Sequence, residues 1–277
     1  MRHTVQRGDT LWAIARQYNV SVAELVAANN ITQPDRIYPG QTLVIPKLIN
    51  FRSLSRRYGG FTAQIHIVRA PVSAEAKLVY NGPGPPFRLS TVSQLARGYD
   101  VAVNCSFFWA GYPLGRHISD GQKVYDYPGD RPTIVLDDWR LDTWYNGISR
   151  LLDAGVQNCL SAHPYLLYEG QPWISKHTPN LAARGPKTAI GRAGCELVLV
   201  VVDGRQPGYS HGITMTELSA LMREEGCWEW AVNLDGGGSS TMAVGGQVVN
   251  RPSGGRERPV INALCFKLRY RWNGGWE

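Results

Sequence analysis

The run Leu197-Val198-Leu199-Val200-Val201-Val202 is the most apolar stretch of the chain, and it leads into Asp203-Gly204-Arg205. Six consecutive aliphatic residues without polar alternation predict a central strand buried on both faces. Downstream, Thr214-x-x-Glu217 reads as a capping box that opens a helix over 215–225, with Leu218, Leu221 and Met222 on its apolar face. Upstream and downstream of this pair the chain alternates strand-like and turn-like segments. The strand-like ones include 62–68, 77–80, 101–103 and 133–136, whereas 94–98 is too short to nucleate a helix alone. The larger part of the chain therefore reads as a mixed-sheet α+β domain.

Composition agrees with that reading. Of 277 residues, 43% are hydrophobic and 18% charged, enough apolar material for a sizeable core and too little charge for a disordered or coiled-coil chain. Thirty glycines and 17 prolines favour turns and short strands over a helical bundle. No apolar run is long enough to span a membrane. The first residues hold no apolar h-region, so no signal peptide is visible. The net charge of +7 suits anionic partners such as teichoic-type polymers or phosphate esters, and scattered cations without interleaved aromatics argue against nucleic acid. Five cysteines without a C-x-x-C read as buried free thiols rather than a metal or full disulfide framework, with one long-range disulfide as the alternative.

Residues 1–46 parse as a unit of their own. Thr4-Val5-Gln6 is a short strand, and Asp9 is placed to cap a helix whose Leu11, Ile14, Ala15 and Tyr18 share one face. Asn19 stops it, and Ser21-x-x-Glu24 opens a second helix that ends at Asn29-Asn30. Pro39-Gly40 turns the chain into a closing strand at 42–45, giving the order βααβ. Residues 47–60, with Lys47, Arg52, Arg56, Arg57 and Gly59-Gly60, read as a linker before a second domain over 61–277.

The blocks Val5-x-x-Gly8-Asp9-Thr10-Leu11-Trp12-x-Ile14-Ala15, Ala28-Asn29-Asn30-Ile31 and Pro39-Gly40-Gln41-Thr42-Leu43-Val44-Ile45-Pro46 resemble a LysM module in order and spacing. The resemblance implies binding of N-acetylglucosamine-containing glycans of the peptidoglycan or chitin type. It places the sugar groove between Gly8, Asp9, Thr10 and Leu11 on one side and Asn30 and Ile31 on the other.

Four glycine-rich segments of the larger domain concentrate polar groups. They are 102–108 with Asn104, 187–191 with Lys187-Thr188, 202–217 with Asp203, Arg205 and Glu217, and 231–241 followed by Asn250-Arg251. In the last, an apolar strand runs into Asp235, three glycines and three hydroxyl residues. Successive glycine N–H groups can form an anion-binding nest, and the same pattern also suits a tight Asx turn. Gly208-Tyr209-Ser210-His211-Gly212 matches a nucleophile elbow in letters only, since it does not join a strand directly to a helix. Gly185-Pro186-Lys187-Thr188 falls short of a Walker A loop, and no histidine spacing suggests a metal site.

Taken together, these segments resemble the phosphodiester glycosidase family, from about Ala102 to Cys265, with the stretch from Asn233 to Leu264 as its most specific part. One departure is Lys187 where an arginine is expected. The resemblance implies cleavage of a sugar C1–O bond whose leaving group is a phosphate ester. Asp235, Glu217 and Asp203 are then the candidate catalytic carboxylates. Lys187, Arg205, Arg251 and the backbone of Gly236, Gly237, Gly238 and Ser239 would hold phosphate, with Asn104 and Ser239 bonding sugar or phosphate. No cofactor is required by the sequence, and metal dependence stays open. The expected protein is a glycan-anchored hydrolase at a bacterial cell wall or spore. The alternative is a non-catalytic wall or spore-coat protein whose degenerate glycosidase domain only binds glycan. A conventional peptidoglycan hydrolase is the third possibility.

Overall fold

The computed structural model describes all residues except 1, 19, 21, 46–49, 128–131, 143–146, 176, 177, 179, 180, 268–270, 273, 274 and 277. In the N-terminal unit, strands Arg2–Thr4 and Thr42–Val44 pair antiparallel and flank helices Leu11–Tyr18 and Val22–Asn29. Leu11, Ile14, Ala15 and Tyr18 are buried together, as their helical spacing requires. The first helix is capped differently from expectation. Thr10 Oγ1 accepts from Ala13 N (3.1 Å), while Asp9 Oδ2 accepts from Gln6 N (2.8 Å) and contacts His3 Nε2 (2.9 Å). Leu11, expected in the glycan groove, is a buried core residue. Asn19 and the Ser21 cap lie outside the described residues.

The larger domain is built on two antiparallel sheets. The seven-stranded one runs Gln171–Pro172, Tyr165–Tyr168, Trp230–Asn233, Lys187–Ala193, Glu196–Val202, Phe61–Pro71 and Asn50–Tyr58. The five-stranded one runs Gln247–Val248, Met242–Val244, Val101–Asn104, Asn262–Lys267 and Glu75–Tyr80. A further five-stranded sheet includes Arg116–Ser119, Cys159–Ser161 and Thr133–Val135.

The apolar run behaves as its composition dictates. Leu197, Leu199 and Val201 point into a core shared with Val103, Leu264 and Phe266 of the five-stranded sheet. Val198, Val200 and Val202 point the other way, onto Leu218, Leu221 and Met222 of the helix Met215–Glu224. That helix carries the expected capping box at Thr214 and Glu217. A second, four-residue helix, Val92–Leu95, has a capping box of its own at Thr91 and Gln94, which offsets its shortness.

The expected linker is corrected by the structure. Asn50–Tyr58 pairs residue for residue with Phe61–Pro71 and forms the edge of the large sheet, with Gly59-Gly60 as the hairpin turn. Its side chains are mostly exposed, so the hydrophobic alternation that marks a strand is missing. Charged residues on an exposed edge also protect it from pairing with other chains. The described cysteines are free, four of them buried and Cys195 exposed.

Candidate active site

The strand Trp230–Asn233 delivers Asp235 to the place where the two large sheets meet. Leu234 N donates to Thr188 O (2.8 Å) and Asp235 N to Cys105 O (2.9 Å), so the loop is held from both sides. Asn104 completes the clamp. Its Oδ1 accepts from Thr188 Oγ1 (2.9 Å) and Thr241 N (3.0 Å), and its Nδ2 donates to Asp235 O (2.5 Å). Asn104 is thus a fully buried brace, and its amide is spent on protein rather than sugar.

A cavity of about 500 Å³ opens beside this loop. Asp235, Gly236, Gly237, Gly238, Lys187 and Arg205 line it, as the sequence leads one to expect. Asn233 and Arg258, which lie in the family-like stretch without an expected role, line it too, as do Arg184 and His163, which no motif singled out. Burial pushes the Asp235 carboxyl up to about 6, against the Ser239 side chain, the Arg258 charge and the Gly236 N–H, which lower it. Burial also brings the Lys187 ammonium down to about 8, helped by the neighbouring Arg205 and Arg184 charges and opposed by Glu217.

The glycine nest is only partly open. Gly237 N donates to Pro186 O (3.0 Å) and Ser239 N to Gly236 O (3.2 Å), so these N–H groups are committed inside the protein. Gly237 takes φ +62°, and a Cβ there would meet the Arg205 guanidinium at 3.3–3.4 Å. The glycine therefore brings backbone and cation together. Gly212 has a similar role: a Cβ would lie 2.3 Å from Gly185 O, at φ +85°. Its bareness lets the chain press against Gly185-Pro186, one wall of the cavity. Two cavity-lining residues, Asn233 and Thr178, each hold a buried side-chain oxygen, Oδ1 and Oγ1, without a hydrogen-bond partner among the described residues. Buried polar atoms of this kind call for a partner, which ordered water or a ligand can supply.

The other two expected carboxylates are placed differently. Asp203 is 1% exposed and lies away from the cavity. It accepts from Asn250 Nδ2 (2.9 Å), Arg251 N (3.0 Å) and Tyr209 Oη (3.0 Å), and pairs with His66 Nε2 (3.0 Å). With its lone pairs occupied, it ties the segments flanking Arg205 and Arg251 together and has no free face for substrate. Arg251 also stays outside the cavity, stacked over Tyr209 at 5.0 Å. Ser210 is buried; its hydroxyl donates to Asp203 O (2.6 Å) and accepts from Gln64 N (3.0 Å), which excludes the nucleophile-elbow role.

Glu217 does not line the cavity but reaches it through Arg184. Its Oε1 accepts from Arg184 Nη2 (2.6 Å) and its Oε2 from Thr214 N (2.9 Å). Burial would raise its carboxyl, but the Arg184 guanidinium and the Thr214 N–H outweigh that and hold it below its ordinary value. Glu217 is therefore an ionised positioning residue for Arg184. Glu217→Gln keeps the helix cap and removes the charge. A charge-assisted hydrogen bond contributes about 1.5–3 kcal/mol, so we expect KM for a phosphorylated ligand to rise roughly tenfold or more with kcat little changed. Steady-state kinetics that show an equal fall in kcat would assign Glu217 to the chemistry instead. Among the described residues, no group of three or more His, Cys, Asp or Glu is placed to hold a metal ion.

Fold and cavity define an α+β domain that gathers four cationic side chains and one raised carboxyl around a single cavity. The phosphodiester glycosidase family matches residues 97–267 and the LysM domain matches residues 3–46. The chain belongs to the phosphodiester glycosidase family and carries an N-terminal LysM domain. It is 35% identical over 178 residues to the SPbeta prophage-derived uncharacterized protein YomE of Bacillus subtilis, covering 60% of this chain and 27% of that one. It is 31% identical over 219 residues to human N-acetylglucosamine-1-phosphodiester alpha-N-acetylglucosaminidase, covering 68% and 41%. An N-acetylmuramoyl-L-alanine amidase, sle1 of Staphylococcus aureus, is 40% identical over 55 residues, 20% of this chain and 16% of that one. The chain thus spans less than half the length of these curated relatives. The auto-inhibited catalytic domain of the zebrafish N-acetylglucosamine-1-phosphodiester alpha-N-acetylglucosaminidase shares the fold. Its TM-score is 0.66 at 23% identity, over 79% of this chain and 82% of that one.

Proposed function

We propose that the larger domain hydrolyses a glycosyl phosphodiester at the sugar C1–O bond, while the LysM domain holds the protein on an N-acetylglucosamine-containing glycan of a bacterial cell wall. One observation carries the reading: Asp235, with its raised carboxyl, shares a cavity with Lys187, Arg205, Arg184 and Arg258.

A phosphodiester carries one negative charge, and the departing phosphomonoester gains a second as the C1–O bond breaks. Cations fixed around the leaving group therefore bind the transition state better than the substrate, which is the condition for faster chemistry. Arg184 is balanced by Glu217, so Lys187, Arg205 and Arg258 carry most of this gain. Good leaving-group ability lessens the need for an acid, and Asp235 acts in its ionised form, activating water or stabilising the oxocarbenium-like centre. Asn233 and Thr178 supply polar contacts to the sugar. Human and zebrafish relatives named for action on N-acetylglucosamine-1-phosphodiesters support this substrate class.

The test is release of free reducing sugar from a soluble α-N-acetylglucosamine-1-phosphodiester; a folded protein that binds it without turnover would favour the non-catalytic alternative. The pH profile has a defined sign. The working carboxylate is lost as pH falls through about 6, and the Lys187 charge is lost as pH rises through about 8. Hence kcat/KM should form a bell between these limits. Replacing Lys187 with arginine should extend its alkaline limb, and an unmoved limb would dissociate that limb from Lys187. Removing residues 3–46 should abolish co-sedimentation with peptidoglycan yet leave turnover of the small diester nearly unchanged. Equal loss of both would make the N-terminal unit part of the catalytic fold.

A further inference from the structure

A second groove, of about 620 Å³, runs along the helix Met215–Glu224, whose first residue, Met215, lines the active-site cavity. Met215 N donates to Leu181 O (3.2 Å). Ala183, Arg184 and Met215 line the cavity, whereas Leu181 and Thr216 line the groove. Thr216, Ala220 and Arg223 lie at i, i+4 and i+7, so they form one helix face and one side of the groove. Ile174 and Leu181 form the opposite side, and Trp228, 55% exposed, closes the far end.

From Thr216 to Arg223 the helix advances about 10 Å. The walls thus offer apolar surface along the groove and a cation at its end. The Arg223 guanidinium lies 5.3 Å from the Trp228 ring centre, and no carboxylate pairs with it among the described residues. Glu224, its neighbour in sequence, is already engaged by Arg56.

We propose that this groove is a subsite for the continuing chain of a polymeric substrate built from repeating glycosyl phosphodiesters. The sugar of the next repeat lies against Ile174, Leu181 and Ala220, and its phosphate meets Arg223. The inference rests on the phosphodiester reading above and adds the polymeric nature of the substrate to it. Glu224 lines the groove too but is bound by Arg56, so Arg223 is the cation left for an anion, and that argues for this occupant over a lipid chain. Consecutive helix residues, Met215 and Thr216, line the cavity and the groove, which argues for the same molecule rather than an unrelated ligand.

The test compares, in the full chain, a single-repeat α-N-acetylglucosamine phosphodiester with a two-repeat oligomer of the same linkage. Two variants serve: Ala220→Phe, which fills the groove from an exposed helix position, and Arg223→Gln, which removes the charge. The wild type should process the oligomer with a kcat/KM about tenfold higher, an advantage that salt diminishes. Each variant should retain single-repeat turnover within twofold and lose the oligomer advantage. An oligomer no better than the single repeat, or variants that leave its advantage intact, would overturn the subsite. Absence of turnover with both substrates would overturn the activity reading instead. Calorimetric binding of the oligomer to wild type and Ala220→Phe then decides the groove, because the LysM contribution is common to both proteins. Equal affinities would sink it.

Discussion

Asp235→Asn lowers the turnover of a small glycosyl phosphodiester by about 10²–10⁴, the range for loss of a positioned acid or base, and leaves KM nearly unchanged. The same variant is more stable than the wild type at neutral pH. The native carboxyl is raised from 3.8 to about 6, so the folded state binds a proton that the unfolded state has already released. Stability therefore falls as pH rises through the interval between those values, and the deficit persists above it. Asparagine keeps the shape and the acceptor for Gly236 N–H without a buried charge. We expect a gain of about 1–3 kcal/mol at pH 7–8, shrinking towards zero near pH 4. Thermal melts across pH, beside single-turnover kinetics, read both effects. A stable variant with wild-type turnover would remove Asp235 from the mechanism. A variant that loses activity and stability together would give the carboxylate a structural role in the loop that asparagine does not fill.

The second large effect is structural. Asp203→Ala leaves His66, Tyr209, Asn250 and the Arg251 N–H without their shared buried acceptor. Stripping one partner from a buried charged network costs about 3–5 kcal/mol, which for a domain of this size lowers Tm on the order of 10 °C. Activity falls as well, because Arg205 follows two residues later and loses its support. Second-site effects distinguish this from catalysis. Where the Asp203→Ala protein is kept folded at low temperature, kcat/KM should fall while the pH limb near 6 stays in place. Loss of that limb would return Asp203 to the chemistry.

Much of this organisation is legible in the sequence, and the exceptions have physical reasons. Helical spacing of Leu11, Ile14, Ala15 and Tyr18, the unbroken Leu197–Val202 run and the Thr214–Glu217 box each encode their element locally. Asp235 and its glycines announce a loop whose side chain must go somewhere unusual. The strand Asn50–Tyr58 escapes notice because its partner, and not its own apolar pattern, holds it in place. Asn104, Asp203 and Glu217 sit in the right segments, but a polar residue beside a site can face the ligand or brace the loop. Spacing does not distinguish the two. Arg184, Arg258, His163 and Asn233 reach one cavity from four separate stretches, so only tertiary pairing assembles them. His163 N donating to Asn233 O (3.0 Å) is one such pairing across seventy residues.

The edge strand also sets a length scale for where the protein can work. Its first residue, Asn50, is already paired with Arg69, and Arg52 is bound to Glu225 at the helix end. The glycan-binding unit is thus joined to a rigid sheet by the few residues between Ile45 and Asn50, a contour of at most roughly 18 Å. A protein moored this way searches a small shell around its point of attachment. Bonds within that shell are met at high local concentration, and bonds a few sugar units farther off are met only after the anchor lets go and rebinds. On the proposed activity, cleavage of an insoluble polymer advances in patches whose size is set by the tether together with the dimensions of the two domains it joins.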